Sequence, residues 1–489
     1  MEKVKGMGKN IFKRLQIFRR DIKEMKRISE LIDYIPDGVI EKVGMGLLIL
    51  WAASPFHYMF RSLFLEHHDP SFVGMNYLDL SIGWHTLLQQ IGFLGIFIGI
   101  LGGIKSLRQG RSLYALFFGS KHRALGTLLL GMLLWSILAT YHSTNPRLSF
   151  NGTFHRRDGL VTYFAYGGIF LAGLMVRTTR YRKVILEVFN GGALALSVLL
   201  LVNYPMVNGL LSLSSRSAVF YNRNHFGYYQ CLAIMVTLVL MYMEKPGRKK
   251  RMFRYLSFSL LVAALIENGS FGPYLATMMG LGFLAAVTIV LHRNLIKPMG
   301  VVLALFIFLS LGMNIQNGYL QERFSFLSSD VNSILEGEEE VQKAGTNRWG
   351  LWVSGVKFAG EEPLFGYGPD NLGERYKEEY EDRDWYYSDR PHNEVIQFAA
   401  SIGIPGALFY VGAVLIFLYA FIQKGKKNTP FDSAITAALI TYWCSSMFGN
   451  TMYYTTPFFF LVWSLAVKGL DPTYESATDS TKDKELLKQ

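Results

Sequence analysis

The chain has 489 residues, of which 51% are hydrophobic, 15% are aromatic and only 18% are charged, and its mean hydropathy is +0.22. This composition excludes a disordered chain and an ordinary soluble enzyme. The formal net charge of +12 at pH 7 suggests a nucleic-acid partner unless the basic residues have another use. The two cysteines, Cys231 and Cys444, lie inside apolar runs, where we expect packing and not a disulfide or metal pair.

Twelve apolar runs are long enough to cross a bilayer, because a hydrocarbon core about 30 Å thick needs roughly 20 residues of helix. They lie near residues 41–60, 82–104, 124–141, 160–176, 184–203, 225–243, 255–270, 271–292, 298–313, 392–423, 431–449 and 455–468. The seventh and eighth are separated only by Asn268 and Gly269, so they could also form one broken helix. The predicted fold class is therefore all-α: a polytopic integral membrane protein of about 12 transmembrane helices with one large external loop.

Apart from Lys42 and Lys468, which stand at the cytoplasmic ends of the first and last spans, the basic side chains lie outside these spans, and they are distributed unequally between the two sides of the membrane. With a cytoplasmic N-terminus, 35 of the 49 Lys and Arg residues fall in cytoplasmic segments. This bias follows the positive-inside rule, so both termini are predicted to be cytoplasmic. The positive charge then orients the helices, and no nucleic-acid partner is predicted.

The chain divides into five predicted regions. Residues 1–40 form a basic segment whose apolar residues recur at helical spacing, as in a helix lying on anionic headgroups or in a solvated tail; a signal peptide is not expected. Residues 41–313 hold the first nine spans, 392–468 the last three, and 469–489 a polar cytoplasmic tail. Residues 314–391 form a large extracytoplasmic loop with net charge −8, against +20 for the remainder. A loop of this length is usually functional.

His392 stands where the acidic loop re-enters the membrane, in SDRPHNEVIQFAASIGIPGALFYVG. Pro391 favours a helix that starts immediately after it, which would place His392, Val395 and Ile396 on one face. An imidazole has an unperturbed pKa near 6.5 and is well suited to take a proton from a sugar hydroxyl at neutral pH. An interfacial histidine that only caps the helix is the alternative.

Three other places in the chain hold further candidate functional residues. Arg348, in TNRWGLWVSGVKFAGEEPLFGYG, could hold a phosphate or pair with an acidic residue of the loop. Helical spacing is predicted from Arg348 to Phe358, and PLFGYGPDN reads as a turn-rich break. Arg216 and Asn224 flank the outer start of the sixth span, where they could also be interfacial anchors. Glu267 ends an apolar run and could pair with the external arginines.

The first external region contains several potential metal ligands, namely His57, His67, His68, Asp69 and His85. Their spacing matches no familiar metal site, so no metal is predicted. The sequence also contains no phosphate-loop motif and no internal repeat.

Four segments resemble the O-antigen ligase and polymerase superfamily of bacterial membrane proteins. HNEVIQFAASIGIPGAL resembles the family's His-Asn, apolar, Gly-x-x-Gly segment, and NRWGLWVSGVKFAGEEPLFGYGPDN is similar to its Arg, Trp, Pro-Leu-x-Gly-x-Gly stretch in the large external loop. RSAVFYNRNHFGYY looks like a third family segment, and NGTFHRRDGLVTYFAYGG is similar to an Arg-Arg stretch of the sugar-polymer subset. The resemblance covers roughly residues 124–468.

The resemblance implies a metal-independent, inverting glycosyl transfer on the outer face of the bacterial plasma membrane, with no cofactor. The implied donor is a glycan on undecaprenyl diphosphate, the acceptor is a glycan, lipid or protein, and polysaccharide-assembly proteins are further partners. By this analogy His392 is the general base and Arg348 binds the donor diphosphate, with Asn393 and Trp352 as supporting residues. Polymerase and ligase both remain open, although the Arg-Arg stretch favours a polymerase slightly.

One position departs from the family pattern. Many members carry Ser-Arg-Gly near the helix pair that corresponds to residues 267–273, whereas this chain reads ENGSFGP, with Phe271 where an arginine is expected. Arg216 is the expected substitute as the second diphosphate-binding residue, and Arg390 is the alternative, with Asn224 and Glu267 as supporting residues. A transporter or flippase of lipid-linked glycans is the alternative function, but such proteins place binding groups near the bilayer midplane.

Overall fold

The computed structural model describes residues 32, 34–64, 77–110, 112–113, 123–206, 219–220, 222–243, 247–336, 344–345, 348–381 and 388–469. Every regular element in these ranges is helical, which confirms the all-α class. The α-helices are α1 (Asp37–Phe64), α2 (Tyr77–Arg108), α3 (Arg123–His142), α4 (Pro146–Asn151), α5 (Leu160–Met175), α6 (Thr179–Met206), α7 (Arg223–Met243), α8 (Arg248–Asn268), α9 (Phe271–Leu291), α10 (Ile296–Asn317), α11 (Tyr319–Glu336), α12 (Arg348–Glu361), α13 (Gly373–Tyr380), α14 (Glu394–Lys424), α15 (Pro430–Ser446) and α16 (Thr456–Gly469). The predicted basic helix within residues 1–40 lies almost entirely outside the described ranges.

Within these ranges, eight segments are long and apolar enough to cross a bilayer: Asp37–Phe56, Gly83–Arg108, Arg123–His142, Thr179–Val202, Arg223–Met243, Phe271–Leu291, Arg293–Ile315 and Glu394–Lys427. The chain is thus a polytopic helical membrane protein, as expected. Each of the twelve predicted runs coincides with a helix, and the remaining four are α5, α8, α15 and α16. Helices α5 and α16 are apolar but shorter, α8 begins with the basic stretch RKKR, and α15 has 17 residues. The number of twelve stays a prediction.

Helix α7 lies at the centre of the bundle, because nearly every residue from His225 to Tyr242 is buried. It packs against α6, α8, α9 and α15. Polar side chains in this core bond to one another: Asn190 of α6 donates to Thr237 of α7 at 2.6 Å. Such pairing is required where no water can satisfy a polar group. The central helix therefore provides a rigid support for the loops at its ends.

The bundle has two chemically different ends. At one end α1 begins beside the ends of α2 and α5, where Lys105 pairs with Asp37 at 2.7 Å and Glu41 accepts the backbone N–H of Arg177 at 2.7 Å. The junction of α14 and α15 lies at this same, basic end. The opposite end carries the starts of α5, α14 and α16 together with α12 and α13. The positive-inside rule predicts that the basic end is cytoplasmic.

Helix α14 is broken where it receives the turn that follows α12. Gly403 has φ +75° inside the helix, and the interrupted helix leaves carbonyl groups without intrahelical donors. The turn satisfies them: the N–H of Tyr367 donates to the carbonyl of Ala400 at 2.9 Å, and the N–H of Gly368 donates to that of Ser401 at 2.8 Å. The predicted turn-rich segment PLFGYGPDN is confirmed, and it anchors α12 and α13 to the membrane bundle.

Gly403 offers a test of this docking. A Cβ at this position would lie 2.1 Å from the carbonyl oxygen of Leu364, in a backbone conformation that disfavours other residues. We expect Gly403→Ala to lower the free energy of unfolding by about 1–3 kcal/mol, measured as a lower Tm in detergent. Gly300→Ala in α10 is the matched control, because nothing lies within 4 Å of the added Cβ. Equal Tm values for the two variants would contradict the docking.

Candidate functional site

A buried arginine joins the loops at the end of the bundle where α5, α14 and α16 begin. Arg390 precedes α14, and its side chain is only 2% exposed. Its Nη1 donates to Oδ2 of Asp158 at 3.0 Å, and its Nη2 donates to Oδ1 of Asp370 at 2.5 Å. Nη1 also donates to the carbonyl of Thr451 at 2.9 Å. Arg390 thus connects the α4–α5 loop, the α12–α13 turn and the α15–α16 loop; we call Asp158, Arg390 and Asp370 the ion triad.

Both carboxylates of the ion triad have further donors. Tyr166 donates to Asp158 at 2.9 Å, and the backbone N–H of Thr153 donates to Asp370 at 2.6 Å. Burial raises the pKa of the Asp158 carboxyl, and Arg390 opposes this rise. Although burial alone would lower the pKa of Arg390, Asp370 and Asp158 together hold it above its usual value. The triad is therefore a network of buried charges with satisfied hydrogen bonds.

This environment changes the expectation for Arg390 as the alternative diphosphate-binding residue. A diphosphate could reach its guanidinium only by displacing two buried carboxylates. Removing one partner of a buried ion pair is strongly unfavourable, because a charge is left without compensation. Arg390 is therefore not retained as a ligand-binding residue, and its contacts indicate a structural role.

His392 lies two residues before α14 and not on the helix. Its φ is +54°, and the helix begins at Glu394 because Asn393 is the N-cap. The Oδ1 atom of Asn393 accepts the N–H of Ile396 at 3.1 Å, as N-cap asparagines commonly do. The prediction that His392 shares a helical face with Val395 and Ile396 is therefore wrong.

Four hydrogen bonds hold His392 in this position. Its ring lies between Asn450, whose Nδ2 is 3.2 Å from Nδ1, and Ser388, whose Oγ is 3.1 Å from Nε2. Its backbone N–H donates to Oδ1 of Asn450 at 3.0 Å, and its carbonyl accepts the indole N–H of Trp352 at 3.4 Å. The surrounding loops thus fix both the ring and the backbone.

Unusual backbone conformations are concentrated here. Within the part of the chain that the structure describes, the non-glycine residues with positive φ are Arg157 at 51°, Asp370 at 54° and His392 at 54°. Asp370 belongs to the ion triad, Arg157 is the neighbour of Asp158, and His392 follows Arg390 by two residues. Such conformations lower stability and cluster at functional sites. This end of the bundle is therefore the candidate site.

Arg348 contributes a positive charge that has no ion-pair partner among the residues that the structure describes. It is the first residue of α12 and is half-buried. Among the described residues, its guanidinium has no carboxylate partner at ion-pair distance. Burial, followed by the positive charges of Arg348 and Arg156, lowers the pKa of His392 to about 3. The imidazole is therefore neutral at pH 7 and has a lone pair that can accept a proton.

Arg156 is the second arginine near His392, but its charge is matched. Its Nε and Nη2 donate to the two carboxylate oxygens of Asp389 at 2.7 and 2.5 Å. Although burial opposes the shift, this bidentate bond lowers the pKa of Asp389 to about 2. Of these two arginines, only Arg348 is therefore left with its charge available to an anion.

The comparisons with known proteins identify this region. Residues 256–411 match the family model of the O-antigen ligase. The chain carries an O-antigen ligase domain. The match contains Arg348 and His392, whereas Asp158 and Asn450 lie outside it. No curated protein matches the chain.

The O-antigen ligase domain confirms the resemblance seen in the sequence. It supports glycan transfer of the O-antigen ligase and polymerase type in general by this polytopic membrane protein. The domain begins in α8 and ends within α14, so it covers the large polar segment and both sides of the α14 break.

The other predicted site residues are placed as follows. The ring of Trp352 packs against Phe448 at 5.9 Å beside His392. Asn224, at the start of α7, accepts a hydrogen bond from Ser270 at 3.2 Å and thus binds the α8–α9 junction. Glu267 lies in the last turn of α8. Gly269, with φ +74°, separates α8 from α9 as two helices.

Two expectations concern Arg216, which the structure does not describe, and Phe271, which stands where an arginine is expected. Arg216 lies outside the described residues, so its role stays a prediction, and the same holds for His67, His68 and Asp69. Phe271 packs edge-on against Phe324 of α11, with ring centroids 5.2 Å apart. The position where the resemblance predicts an arginine is therefore used here for an aromatic contact.

His85, a member of the first external group of potential metal ligands, lies in α2 and bonds to the hydroxyl of Thr162 at 2.8 Å.

Several residues of the site could not be assigned a role from the sequence. Arg156 and Asp158 lie in the HRRDG stretch and Asp370 in GPDN, and both motifs are visible in the sequence, but the sequence does not show which charges pair. Nothing in the sequence marks Asn450 as a site residue, because an asparagine after a span is common. Ser388 likewise looked like an ordinary loop residue.

An apolar groove of about 500 Å³ extends along the bundle between α2, α3 and α5. Near the site it is lined by Tyr163, Tyr166 and Phe398, and towards the basic end it reaches Leu107. Tyr166 is also a donor to Asp158, so the groove reaches a residue that contacts the ion triad. Its lining is compatible with a hydrocarbon chain.

The ion triad can be tested by removing its cation. Arg390→Met leaves two buried carboxylates unpaired, so we expect a loss of about 3–5 kcal/mol of stability, measured as Tm and as folded yield in detergent. The triple variant Arg390→Met, Asp158→Asn, Asp370→Asn should recover part of the loss, because the unpaired charges are gone. Lys357→Met, which removes a half-exposed ion pair with Glu379, is the control. An Arg390→Met variant as stable as this control would contradict the triad's structural role.

Proposed function

We propose that this protein transfers a glycan from undecaprenyl diphosphate to an acceptor hydroxyl, with inversion and without a metal, on the outer face of the bacterial plasma membrane. The observation that carries the proposal is that Arg348 has no ion-pair partner among the described residues while its charge acts on the neutral imidazole of His392. One group can bind a leaving diphosphate and the other can accept the acceptor's proton. The O-antigen ligase domain, which contains both residues, supports the same chemistry.

Arg348 is proposed to bind the donor diphosphate. A guanidinium binds phosphate oxygens through two parallel hydrogen bonds, and such charge-assisted bonds are the stronger kind. Negative charge grows on the diphosphate as the bond to the sugar breaks, so a fixed cation there stabilises the transition state. Arg216 is the proposed second contact.

His392 is proposed to act as the general base. Inversion requires the acceptor hydroxyl to attack the anomeric carbon from the side opposite the diphosphate, and the imidazole takes the hydroxyl proton. Because Arg348 is one of the charges that lower the pKa of His392, a diphosphate bound to Arg348 offsets this effect. The base therefore becomes stronger when the donor is bound.

The arrangement of the bundle supports a lipid-linked donor and an external site. The apolar groove between α2, α3 and α5 gives a prenyl chain a route in the membrane that ends beside the site. The site is at the end opposite the basic one, and the positive-inside rule assigns the basic end to the cytoplasm. The site then faces outward and both termini lie inside.

The reaction is tested with purified protein in vesicles, undecaprenyl-diphosphate-linked oligosaccharide, a chelator and no nucleotide, with product length followed on a gel. A ladder indicates a polymerase, and a single shift of an added glycan, lipid or protein acceptor indicates a ligase. Movement of the donor across the vesicle membrane without any product would favour the alternative, a transporter or flippase, and would contradict the proposal.

Substitutions of the two proposed residues should lower different kinetic constants in this assay. His392→Ala is expected to lower kcat by about 10²- to 10⁴-fold, because a general base is lost. Arg348→Ala is expected to lower kcat/KM by about 10- to 100-fold, because a charge-assisted contact is lost. Lys357→Ala removes a cation from the same helix about 13 Å along its axis and should leave both constants unchanged. Wild-type activity of His392→Ala would refute the assignment of the base.

A further inference from the structure

We propose that Asn450 is a positioning residue that selects the Nε2–H tautomer of His392 and so makes Nδ1 the atom that takes the acceptor's proton. This inference rests on the proposed function, in which His392 is the base. Asn450 lies between α15 and α16, outside the residues that match the family model. Its side chain contacts both the backbone and the ring of His392.

The hydrogen bonds of Asn450 determine which of its atoms faces the ring. The backbone N–H of His392 can only donate, so the carboxamide atom at 3.0 Å from it is the oxygen. The other carboxamide atom, Nδ2, then lies 3.2 Å from Nδ1 of His392. An amide nitrogen donates and does not accept, so Nδ1 must be unprotonated. The neutral ring therefore carries its hydrogen on Nε2.

The opposite side of the ring has an acceptor for that hydrogen. Nε2 lies 3.1 Å from Oγ of Ser388, and this hydroxyl in turn lies 3.5 Å from Oδ1 of Asp389. Asp389 is ionised at neutral pH because its pKa is lowered to about 2. When Nδ1 takes a proton, the resulting imidazolium has a carboxylate beyond its Nε2–H side. The ring is therefore oriented to become charged in the transition state.

The charged and titratable groups that face the ring come from four elements. They are Arg348 on α12, Arg156 in the α4–α5 loop, Asp389 and Arg390 in the loop of His392 itself, and His225 on α7. The three arginines oppose protonation of His392, and Asp389 favours it.

The proposed step balances as follows. The acceptor oxygen forms a bond to the anomeric carbon while the bond from that carbon to the diphosphate oxygen breaks, and the bonding pair leaves on the diphosphate. The hydroxyl proton passes to Nδ1 of His392. For this the hydroxyl replaces Nδ2 of Asn450, whose 3.2 Å contact is longer than an optimal hydrogen bond. Oδ1 of Asn450 keeps the backbone N–H of His392 throughout.

The tautomer is measured by solid-state NMR on [15N]histidine-labelled protein in lipid bilayers, with the His392 signals identified by comparison with His392→Gln. At pH 7 the wild type should show a protonated Nε2 and a bare Nδ1. In Asn450→Asp the donor beside Nδ1 becomes an acceptor of nearly the same shape, so the hydrogen should move to Nδ1. A wild-type spectrum with the hydrogen on Nδ1 would overturn the proposal, even if no variant folds.

The activity assay gives the second readout. Asn450→Asp should lower kcat by about 10- to 100-fold with the donor KM unchanged. It should also raise the pKa of His392, so that activity falls as the pH is lowered through a range in which the wild type is unaffected. Asn314→Asp is the matched control at the outer end of α10, where Oδ1 accepts the N–H of Gln321 at 3.0 Å; it should change neither constant.

The two proposals fail in distinguishable ways. An Asn450→Asp enzyme with wild-type kcat and pH profile would refute Asn450 as the positioning residue while leaving His392 as the base. A wild-type protein that shows the Nε2–H tautomer but transfers no glycan would refute the proposed function and leave the selection of the tautomer by Asn450 standing.

Discussion

The buried ion triad is the interaction on which the site depends. A guanidinium removed from water is unfavourable unless its charge and its donors are matched, and Asp158 and Asp370 match those of Arg390. Arg390 and Asp158 are 232 positions apart in the sequence, so their pairing brings distant loops together. His392 follows Arg390 by two residues, so the triad fixes the loop that carries His392, while Asn450 and Ser388 hold its ring.

The arginines at this end of the bundle differ in whether a carboxylate already pairs with their charge. Arg390 is matched by two buried carboxylates and Arg156 by Asp389. Arg348 has no such partner among the described residues, and its field acts on the neutral ring of His392. An anionic ligand would have to break an ion pair to reach the first two, but not to reach Arg348. This difference supports Arg348 as the proposed anion-binding residue more strongly than the number of basic residues does.

The sequence was informative where the physics is local. A run of about 20 apolar residues in a membrane must be helical, since no other local structure satisfies its backbone. The helix from Arg348 and the turn PLFGYGPDN were likewise readable from spacing and from Gly and Pro. Helix α14 begins at Glu394 and not directly after Pro391, because the side chain of Asn393 caps the helix.

Contacts between distant segments could not be read from the sequence. Arg390 was visible, but nothing in a single sequence links it to Asp158, 232 positions away. The contact between Asn450 and His392, 58 positions apart, is equally invisible in the sequence. These contacts depend on how α5, α14 and α16 begin at one end of the bundle, which periodicity does not encode.

Arg348, which has no ion-pair partner among the described residues, is proposed to bind a diphosphate near His392. This binding is tested most directly by the Kd of undecaprenyl diphosphate for the wild type, Arg348→Gln and Lys357→Gln in detergent. The account predicts binding about 10- to 100-fold weaker for Arg348→Gln, corresponding to one charge-assisted contact, and an unchanged Kd for Lys357→Gln. Equal Kd values for all three proteins would contradict it.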